Sequence, residues 1–413
     1  MDYLPNWDLK DKYTLLKRLG KGSYGSVCLA QSNSTGAMVA IKSVKGIFED
    51  IYDAKRILRE ICILRILNHP HIVKIIEVIV TERSFRTIYI VMESAQSDLK
   101  KIVKSPTYLD FEQVRYMFYQ AVCGIRYMHS ASILHRDLKP ANILINEDCT
   151  IKICDFGLSR SYRRIDQFDQ YNSEDSNNYA LAGGVQCRSL PRDKLNRDMN
   201  FINKRELTVH VVTRWYRAPE VILLEKEYNK EIDIWSLGCV FAEMLSLVKA
   251  NAAHYIERGP LFPGMSCFPL SPDTSTSIKR AGYPCAENDQ LNVIFEVIGT
   301  PSPQELSFIT DPKAHEYVNS FPPRQPKSFQ EFFPGCGPDE LDILKKMLVF
   351  SPKHRISLNE LIQHPYFNSV RDPAKEIVAN VRADFIFDST QEMTVEQLQD
   401  IFSREIVNEV PLG

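Results

Sequence analysis

Apolar residues occur in short runs along the first hundred residues of the chain. Runs at 13–19, 26–31 and 38–44 are compatible with β-strands, and a continuous apolar run at 88–92 is typical of a buried strand. Between them, residues 52–67 place apolar side chains three and four positions apart, which predicts an amphipathic helix. This part of the chain therefore predicts a small β-rich lobe with one helix.

Helical periodicity dominates after residue 98, at 111–129, 232–247 and 339–348. We expect a larger, mostly helical lobe there and find no internal repeat. Two segments break the pattern. Residues 163–206 are polar, and 265–288 are rich in Ser, Pro and Thr, so both are predicted to be long loops, which are usually functional or disordered.

Composition excludes several classes of protein. The 413 residues are 44% hydrophobic, and 50 Lys and Arg oppose 52 Asp and Glu, so we expect no general attraction to nucleic acid or to a membrane. No apolar run approaches the roughly 20 residues of a membrane-spanning helix, and the first residues lack the layout of a signal peptide. The ten cysteines form no Cys-x-x-Cys pair, which favours reduced thiols in the cytoplasm or nucleus.

A glycine cluster separates the first two predicted strands. Glycine permits positive φ and lets backbone amides approach phosphate oxygens closely. A strand follows the cluster rather than a helix, which disfavours a dinucleotide-binding fold. By itself, a plain glycine hairpin remains an equal alternative. The cluster comprises Gly20, Lys21, Gly22, Ser23, Tyr24, Gly25, Ser26 and Val27.

Lys42 lies among apolar residues of the third predicted strand, and Glu60 lies on the predicted helix. A buried ammonium needs a negative partner, because an unpaired buried charge is very costly. An ion pair between these residues would hold Lys42 toward the α- and β-phosphates of a nucleotide. Taken alone, a solvated Lys and a solvated Glu would be the better interpretation.

The segments 135–144 and 155–157 read His-Arg-Asp-Leu-Lys-Pro-Ala-Asn-Ile-Leu and Asp-Phe-Gly. Metal-assisted phosphoryl transfer needs a carboxylate beside the attacking hydroxyl, oxygen ligands for Mg²⁺ and a cation on the γ-phosphate. Asp137, the pair Asn142 and Asp155, and Lys139 would fill these roles in that order. The joint order of all four motifs is highly specific.

This motif set resembles the protein kinase family. The resemblance implies an α+β, bilobal fold: an antiparallel β-sheet lobe with one regulatory helix, then a larger helical lobe. It places an N-terminal extension at 1–12 and the kinase domain at 13–367. The lobes would be 13–93 and 98–367, joined by a hinge at 94–97, with an activation segment at 155–220 and an insert at 265–288. A C-terminal extension, 368–413, would pack on the kinase.

The segment 212–220, Val-Thr-Arg-Trp-Tyr-Arg-Ala-Pro-Glu, is similar to that of mitogen-activated protein (MAP) kinases, and Lys139 is typical of serine/threonine kinases. The resemblance implies ATP and Mg²⁺, protein substrates with Ser/Thr-Pro sites, and an upstream activating kinase. It also pairs Arg355 with Glu220. The resemblance also implies an adenine site. The base would lie between Leu19, Val27, Ala40 and Leu144, with hinge contacts from the backbone of Glu93 and Ala95. Asp98 would contact the ribose, and Met92 would limit access to the back pocket.

The chain departs from MAP kinases in its activation segment. The usual Thr-x-Tyr pair reads Thr208-Val209-His210, as in the divergent Thr-x-His type of protozoan MAP kinases. By resemblance, phosphate on Thr208 would be bound by Arg59, Arg136 and Arg160. Phosphotyrosine would engage Arg214 and Arg217, but the tyrosine is missing. We therefore hypothesise activation through Thr208 alone, with His210 either a weak contact or an inert substitution.

Two further differences concern interactions of the chain. Relatives carry two acidic docking residues after a His-Pro-Tyr motif, whereas this chain has Asp372 and then Lys375, which predicts weaker binding of basic peptides. Ser271-Pro272 matches the substrate preference of MAP kinases, although a rigid proline turn is the favoured interpretation. The helical spacing at 392–407 predicts a helix that packs across both lobes, with a partner-binding helix as the alternative.

We therefore predict a serine/threonine protein kinase of the MAP kinase type. A cyclin-dependent-like kinase is the rival within the same class. A pseudokinase scaffold is the rival outside it, and that rival predicts the loss of an essential residue. Yet Lys42, Glu60, Asp137, Asn142 and Asp155 are all present.

Overall fold

The structure is a computed structural model of the 413-residue chain. The residues it describes are 4–22, 25–82, 85–162, 214–225, 229–270, 279–280, 283–284, 286–383, 385, 387 and 393–407. Ser23, Tyr24, Thr208, His210 and Ser271 lie outside these ranges. Within the described residues, no helix is both long enough and apolar enough to cross a bilayer.

Five antiparallel strands form one sheet in the order β1-β2-β3-β5-β4. Four of them occupy the positions predicted from the apolar runs, and β4 was not predicted. Register is regular between β2 and β3, where Val27 lies opposite Lys42. The strands are β1 Tyr13–Gly22, β2 Gly25–Ser32, β3 Met38–Lys45, β4 Ile75–Val80 and β5 Thr87–Glu93.

Helices dominate the rest of the described chain. Eleven α-helices lie within these residues: α1 Ile51–Ile66, α2 Leu99–Val103, α3 Phe111–Ser130, α4 Pro219–Ile222, α5 Glu231–Leu245, α6 Gln290–Ile298, α7 Pro312–Asn319, α8 Phe329–Phe332, α9 Pro338–Met347, α10 Leu358–Leu361 and α11 Val395–Phe402. Short strands form three small sheets: β6 Ser97–Asp98, β7 Ile133–Leu134, β8 Ile143–Ile145, β9 Ile151–Ile153, β10 Arg160–Ser161, β11 Lys279–Arg280 and β12 Tyr283–Pro284. The protein kinase architecture predicted from the motifs, a β-sheet lobe followed by a helical lobe, is confirmed.

Local sequence explains where the main helices begin. Asp50 caps α1 by accepting hydrogen bonds from the backbone N–H groups of Tyr52 and Asp53. Asp110 and Gln113 form a reciprocal capping box at the start of α3. Every residue of α5 after Glu231 is buried, because this helix is apolar on nearly all sides and runs through the centre of the helical lobe.

The C-terminal residues contact both lobes. The Phe402 ring lies 5.2 Å from that of Phe48 and 6.1 Å from that of Phe85, measured between centroids, beside the sheet lobe. Earlier in the same segment, the Ala383 N–H donates to the Ala131 carbonyl of the helical lobe at 2.9 Å. The domain boundaries given above stay predictions.

Candidate active site

The described residues of the glycine cluster lie at the end of β1 and the start of β2, which pair as a hairpin. Gly22 pairs with Gly25 at its end. Gly25 has a φ of 155°, and a Cβ added there would overlap the carbonyl oxygen of Ser43 on β3. Only glycine fits this position. The hairpin therefore lies close to the strand that carries Lys42.

Lys42 and Glu60 form the predicted ion pair. The ammonium nitrogen lies 2.7 Å from both carboxylate oxygens of Glu60, whose side chain is almost fully buried. Desolvation alone would lower the pKa of Lys42, but the charges of Glu60 and Asp155 outweigh it and raise that pKa. The lysine therefore stays charged in the cleft.

Asp137 lies at the centre of a short hydrogen-bonded loop. Its Oδ2 accepts from Lys139 Nζ at 2.6 Å and from Asn142 Nδ2 at 3.3 Å. Asn142 Nδ2 also donates to the Asp137 carbonyl at 2.8 Å. These bonds use the amide nitrogen of Asn142 and do not occupy its Oδ1, an oxygen of the kind that hard cations prefer.

Asp233 on α5 holds this loop in place, a contact that the sequence did not predict. Asp233 accepts the backbone N–H of His135 and that of Arg136, each at 2.8 Å, and contacts His129 Nε2 at 2.9 Å. Arg136 has a φ of 68°, a strained value for a residue other than glycine. Asp233 thus stabilises the strained turn that presents Asp137. Asp233 lies in the helix predicted at 232–247, but no spacing in the sequence indicates its partners.

Asp155 faces the same cleft. It has a φ of 67°, and a Cβ on Gly157 would lie 3.6 Å from Asp155 Oδ1 and 3.8 Å from Glu60 Oε2. Desolvation would raise the pKa of Asp155, but Lys42 and then Lys139 outweigh it and lower that pKa. Phe156 is fully buried, with its ring 5.5 Å from that of His135. The carboxylate is therefore ionised beside the Lys42–Glu60 pair.

The residues expected around adenine lie on strands of two separate sheets. Ala40 pairs with Met92 across β3 and β5, and Leu144 lies on β8, where it pairs with Asp98. Leu19 lies on β1 and is partly exposed. Across the described ranges, the backbone of Ala95 makes no hydrogen bond, so its polar groups are available to a base edge.

Glu93, expected at the hinge, and Asp98, expected at the ribose, also bind other side chains of the protein. Glu93 binds Lys152 through its side chain at 2.7 Å. Asp98 caps α2 through Lys101 N–H at 3.0 Å and pairs with Lys101 Nζ at 2.7 Å. Asp98 therefore has a role in α2 whether or not it contacts a ribose.

The three arginines assigned to phosphothreonine lie on separate elements. Arg59 is buried on α1, Arg136 lies in the strained turn just before Asp137, and Arg160 lies on β10, opposite Leu134 on β7. Thr208 is outside the described residues. It stays a prediction that these three arginines converge on a phosphate at Thr208.

A short loop at 214–218, here named the substrate loop, adjoins Asp137. Asp137, Arg217 and Ala218 share the wall of a cavity of about 30 Å³. Tyr216 within the loop donates its hydroxyl to Glu243 at 2.6 Å. Immediately after the loop, the Glu220 carboxylate binds both terminal nitrogens of Arg355, at 2.6 and 2.7 Å, as the motifs predicted.

A two-lobed fold with a glycine hairpin, a Lys–Glu pair and the Asp137 loop in one cleft defines a protein kinase. The protein kinase domain model matches residues 13–180 and 197–257, more than half of the chain.

Characterised relatives narrow this class. Mitogen-activated protein kinase 2 of Arabidopsis thaliana is 34% identical over 98% of this chain and 90% of its own length. The mitogen-activated protein kinase homolog NTF3 of Nicotiana tabacum is 35% identical over 89% of the chain and 80% of its length. Extracellular signal-regulated kinase 1 of Dictyostelium discoideum is 35% identical over 88% of the chain and 56% of its length. The chain belongs to the MAP kinase family and is a protein serine/threonine kinase.

Proposed function

We propose that this kinase transfers the γ-phosphate of ATP to Ser or Thr hydroxyls in proteins, through Asp137 and its neighbours. The observation that carries the proposal is the Asp137 loop. One carboxylate oxygen is held by Lys139 and Asn142, while Lys42 and Asp155 lie in the same cleft. That arrangement provides every charged group that positioning-based phosphoryl transfer requires.

Each residue has a distinct role in this proposal. Asp137 orients the substrate hydroxyl and accepts its proton, and Lys139 steadies the γ-phosphate. Lys42, held by Glu60, binds the α- and β-phosphates. Mg²⁺, when bound, neutralises phosphate charge, and the oxygens of Asn142 and Asp155 fit its preference for hard ligands. Backbone amides of the hairpin 20–25 cover the phosphates.

We propose a preference for Ser or Thr followed by Pro. The relatives named as MAP kinases support it, as does the segment 212–220. A pair of peptides that differ only in Pro or Ala after the phosphoacceptor tests it. The Pro peptide should have at least about tenfold higher kcat/KM, and equal values would contradict the preference.

We also propose that an upstream kinase, or the protein itself, activates the chain by phosphorylating Thr208 alone. The three arginines that would bind that phosphate are present. Thr208→Ala should abolish most turnover. His210→Ala should lower turnover if His210 makes a weak contact, and should leave turnover unchanged if His210 is an inert substitution. Unchanged turnover by Thr208→Ala, with wild-type Thr208 shown to be phosphorylated, would contradict single-site activation.

Docking of basic partner peptides should be weak in this kinase. Lys375 Nζ lies 3.4 Å from Asp372 Oδ2, and both side chains are nearly half exposed. The ammonium therefore offsets the one carboxylate kept at this position. Lys375→Asp should strengthen binding of a basic docking peptide at low salt, while Lys353→Asp is an exposed lysine control. Equal affinity of wild-type protein and Lys375→Asp would contradict this proposal.

The proposed location is the cytoplasm, the nucleus or both. None of the eight described cysteines is in a disulfide, and seven of them are buried, which suits a reducing compartment. Fractionation of cells that express the full chain would test this location.

A further inference from the structure

The substrate loop is held by a neighbouring segment that begins at Gly264 and continues into the insert predicted at 265–288. Arg214 Nη1 donates to the Met265 carbonyl at 2.7 Å. The Trp215 indole N–H donates to the Gly264 carbonyl at 2.9 Å. Arg217 Nη1 contacts Cys267 Sγ at 3.8 Å. Three side chains of the substrate loop thus end on residues 264–267, named here the bracing segment.

The bracing segment is itself firmly attached to the start of α6. Met265 N–H donates to the Asn288 carbonyl at 2.8 Å, and Gln290 N–H donates to the Ser266 carbonyl at 2.9 Å. Asp289, almost fully buried, accepts from Ser266 Oγ at 3.2 Å and from Phe268 N–H at 2.9 Å. The bracing segment therefore both donates backbone hydrogen bonds to residues 288–290 and accepts them from there.

Packing adds to these hydrogen bonds. Cys267 is fully buried, and the Phe268 ring lies 5.0 Å from that of buried Tyr317, measured between centroids. Gly264 approaches the backbone of Gln290 so closely that a Cβ would lie 2.8 Å from its Cα. Such a contact cannot be relieved by a side-chain rotation, so any side chain at 264 must displace the segment.

The acceptors that the bracing segment offers to Arg214 and Arg217 are a carbonyl and a thiol, and neither depends on phosphorylation. Trp215 is held by the same segment, and Arg217 lines the cavity beside Asp137. A displacement of residues 264–267 would therefore change the surface against which a protein substrate must lie, without touching Lys42 or Asp155.

We propose that the bracing segment positions the substrate loop for protein substrates without a phosphorylated tyrosine. The inference rests on the proposed function, because it concerns how that function is maintained when position 210 is His. Met265, through its carbonyl, and Cys267 are positioning residues and do not contact the reacting atoms.

Gly264→Ala tests the inference, with Gly259→Ala as its matched control. Gly259 lies on the same connection, and a Cβ there meets no atom within 4 Å. We expect Gly264→Ala to raise the KM for a Ser/Thr-Pro protein substrate about tenfold, the effect of losing one hydrogen bond from a charged donor. The KM for ATP and ATP hydrolysis without protein substrate should stay within about twofold of wild type. Gly259→Ala should match wild type throughout.

A second pair of variants covers the case in which Gly264→Ala does not fold. Arg214→Ala removes the donor to Met265, whereas Arg214→Lys keeps a cation that can donate one bond. Arg214→Ala should raise the KM for protein substrate, and Arg214→Lys should recover part of the loss. Equal protein-substrate KM values for wild type and Arg214→Ala would overturn the inference, as would equal values for Gly264→Ala and Gly259→Ala. A wild-type protein with no turnover on any Ser/Thr-Pro substrate would instead overturn the proposed function, and the inference with it.

Discussion

The Glu220–Arg355 pair offers a stringent test of how the helical lobe is held together. Glu220 is the second residue of α4, two positions after the substrate loop, and its side chain is 3% exposed, against 0% for Arg355. Arg355 also donates to the carbonyls of Val349, Glu231 and Phe350, at 2.9, 2.9 and 3.1 Å. The guanidinium is therefore fully hydrogen-bonded only while the Glu220 carboxylate is present.

Glu220→Gln removes the charge but keeps the shape of the side chain. The new amide presents an N–H group to one guanidinium nitrogen, so a buried cation loses its counter-charge and one acceptor. Removing one partner of a buried pair costs about 3–5 kcal/mol of unfolding free energy. Arg355→Met should cost a similar amount, because it leaves the Glu220 carboxylate buried without its partner.

Urea unfolding of wild type, both single variants and the double variant would measure these costs. The double variant should lose at least about 2 kcal/mol less than the sum of the single losses, since neither charge then remains unpaired. Lys12→Met is the control, because the Lys12–Glu77 pair is 51% and 28% exposed and should contribute less than about 1 kcal/mol. Additive losses, or a Glu220→Gln loss as small as that of Lys12→Met, would refute the reasoning.

Three further outcomes are expected. Glu60→Gln should lower kcat about a hundredfold, because Lys42 loses the negative charge that lies 2.7 Å away, and steady-state kinetics would show it. Desolvation raises the pKa of Glu243 to about 7 from 4.5, so the folded state holds a proton that the unfolded state releases, and stability falls as pH rises through this range. Glu243→Gln should not show this loss of stability, and its free energy of unfolding at pH 8 should exceed that of wild type by about 3 kcal/mol. The same dependence of the unfolding free energy on pH in both proteins, from pH 5 to 8, would contradict this prediction. Phe402→Ala should cost about 3–5 kcal/mol in the same assay, against less than about 0.5 kcal/mol for Val378→Ala, which is 58% exposed.

Much of the architecture was predictable because local patterns determine it. Short apolar runs located four of the five sheet strands, and apolar spacing located α1 within one residue at each end. β4 was missed because it is an edge strand with a register shift between Ile75 and Glu77, and Ile76 is half exposed. Its pattern therefore resembles neither clean alternation nor a buried run.

The ion pair between Lys42 and Glu60 was predictable only from the full set of motifs, because these two residues taken alone favour two solvated side chains. The support beneath the site was not predictable in this way. Asp233 binds the backbone of His135 and Arg136 almost one hundred positions away in the chain, and backbone N–H groups leave no mark on the sequence. The bracing segment likewise acts through the carbonyls of Gly264 and Met265, which any residue type would possess.

The most direct test of the central claim measures transfer of labelled γ-phosphate from ATP to a Ser/Thr-Pro protein substrate, by wild-type protein and by Asp137→Asn. Thr208 would be mapped by mass spectrometry in both samples. We expect wild-type turnover that rises with Thr208 phosphate, and a loss of at least about a hundredfold in Asp137→Asn. Absence of transfer by wild-type protein fully phosphorylated on Thr208, or equal transfer by the two proteins, would contradict the account of Asp137 as the catalytic carboxylate.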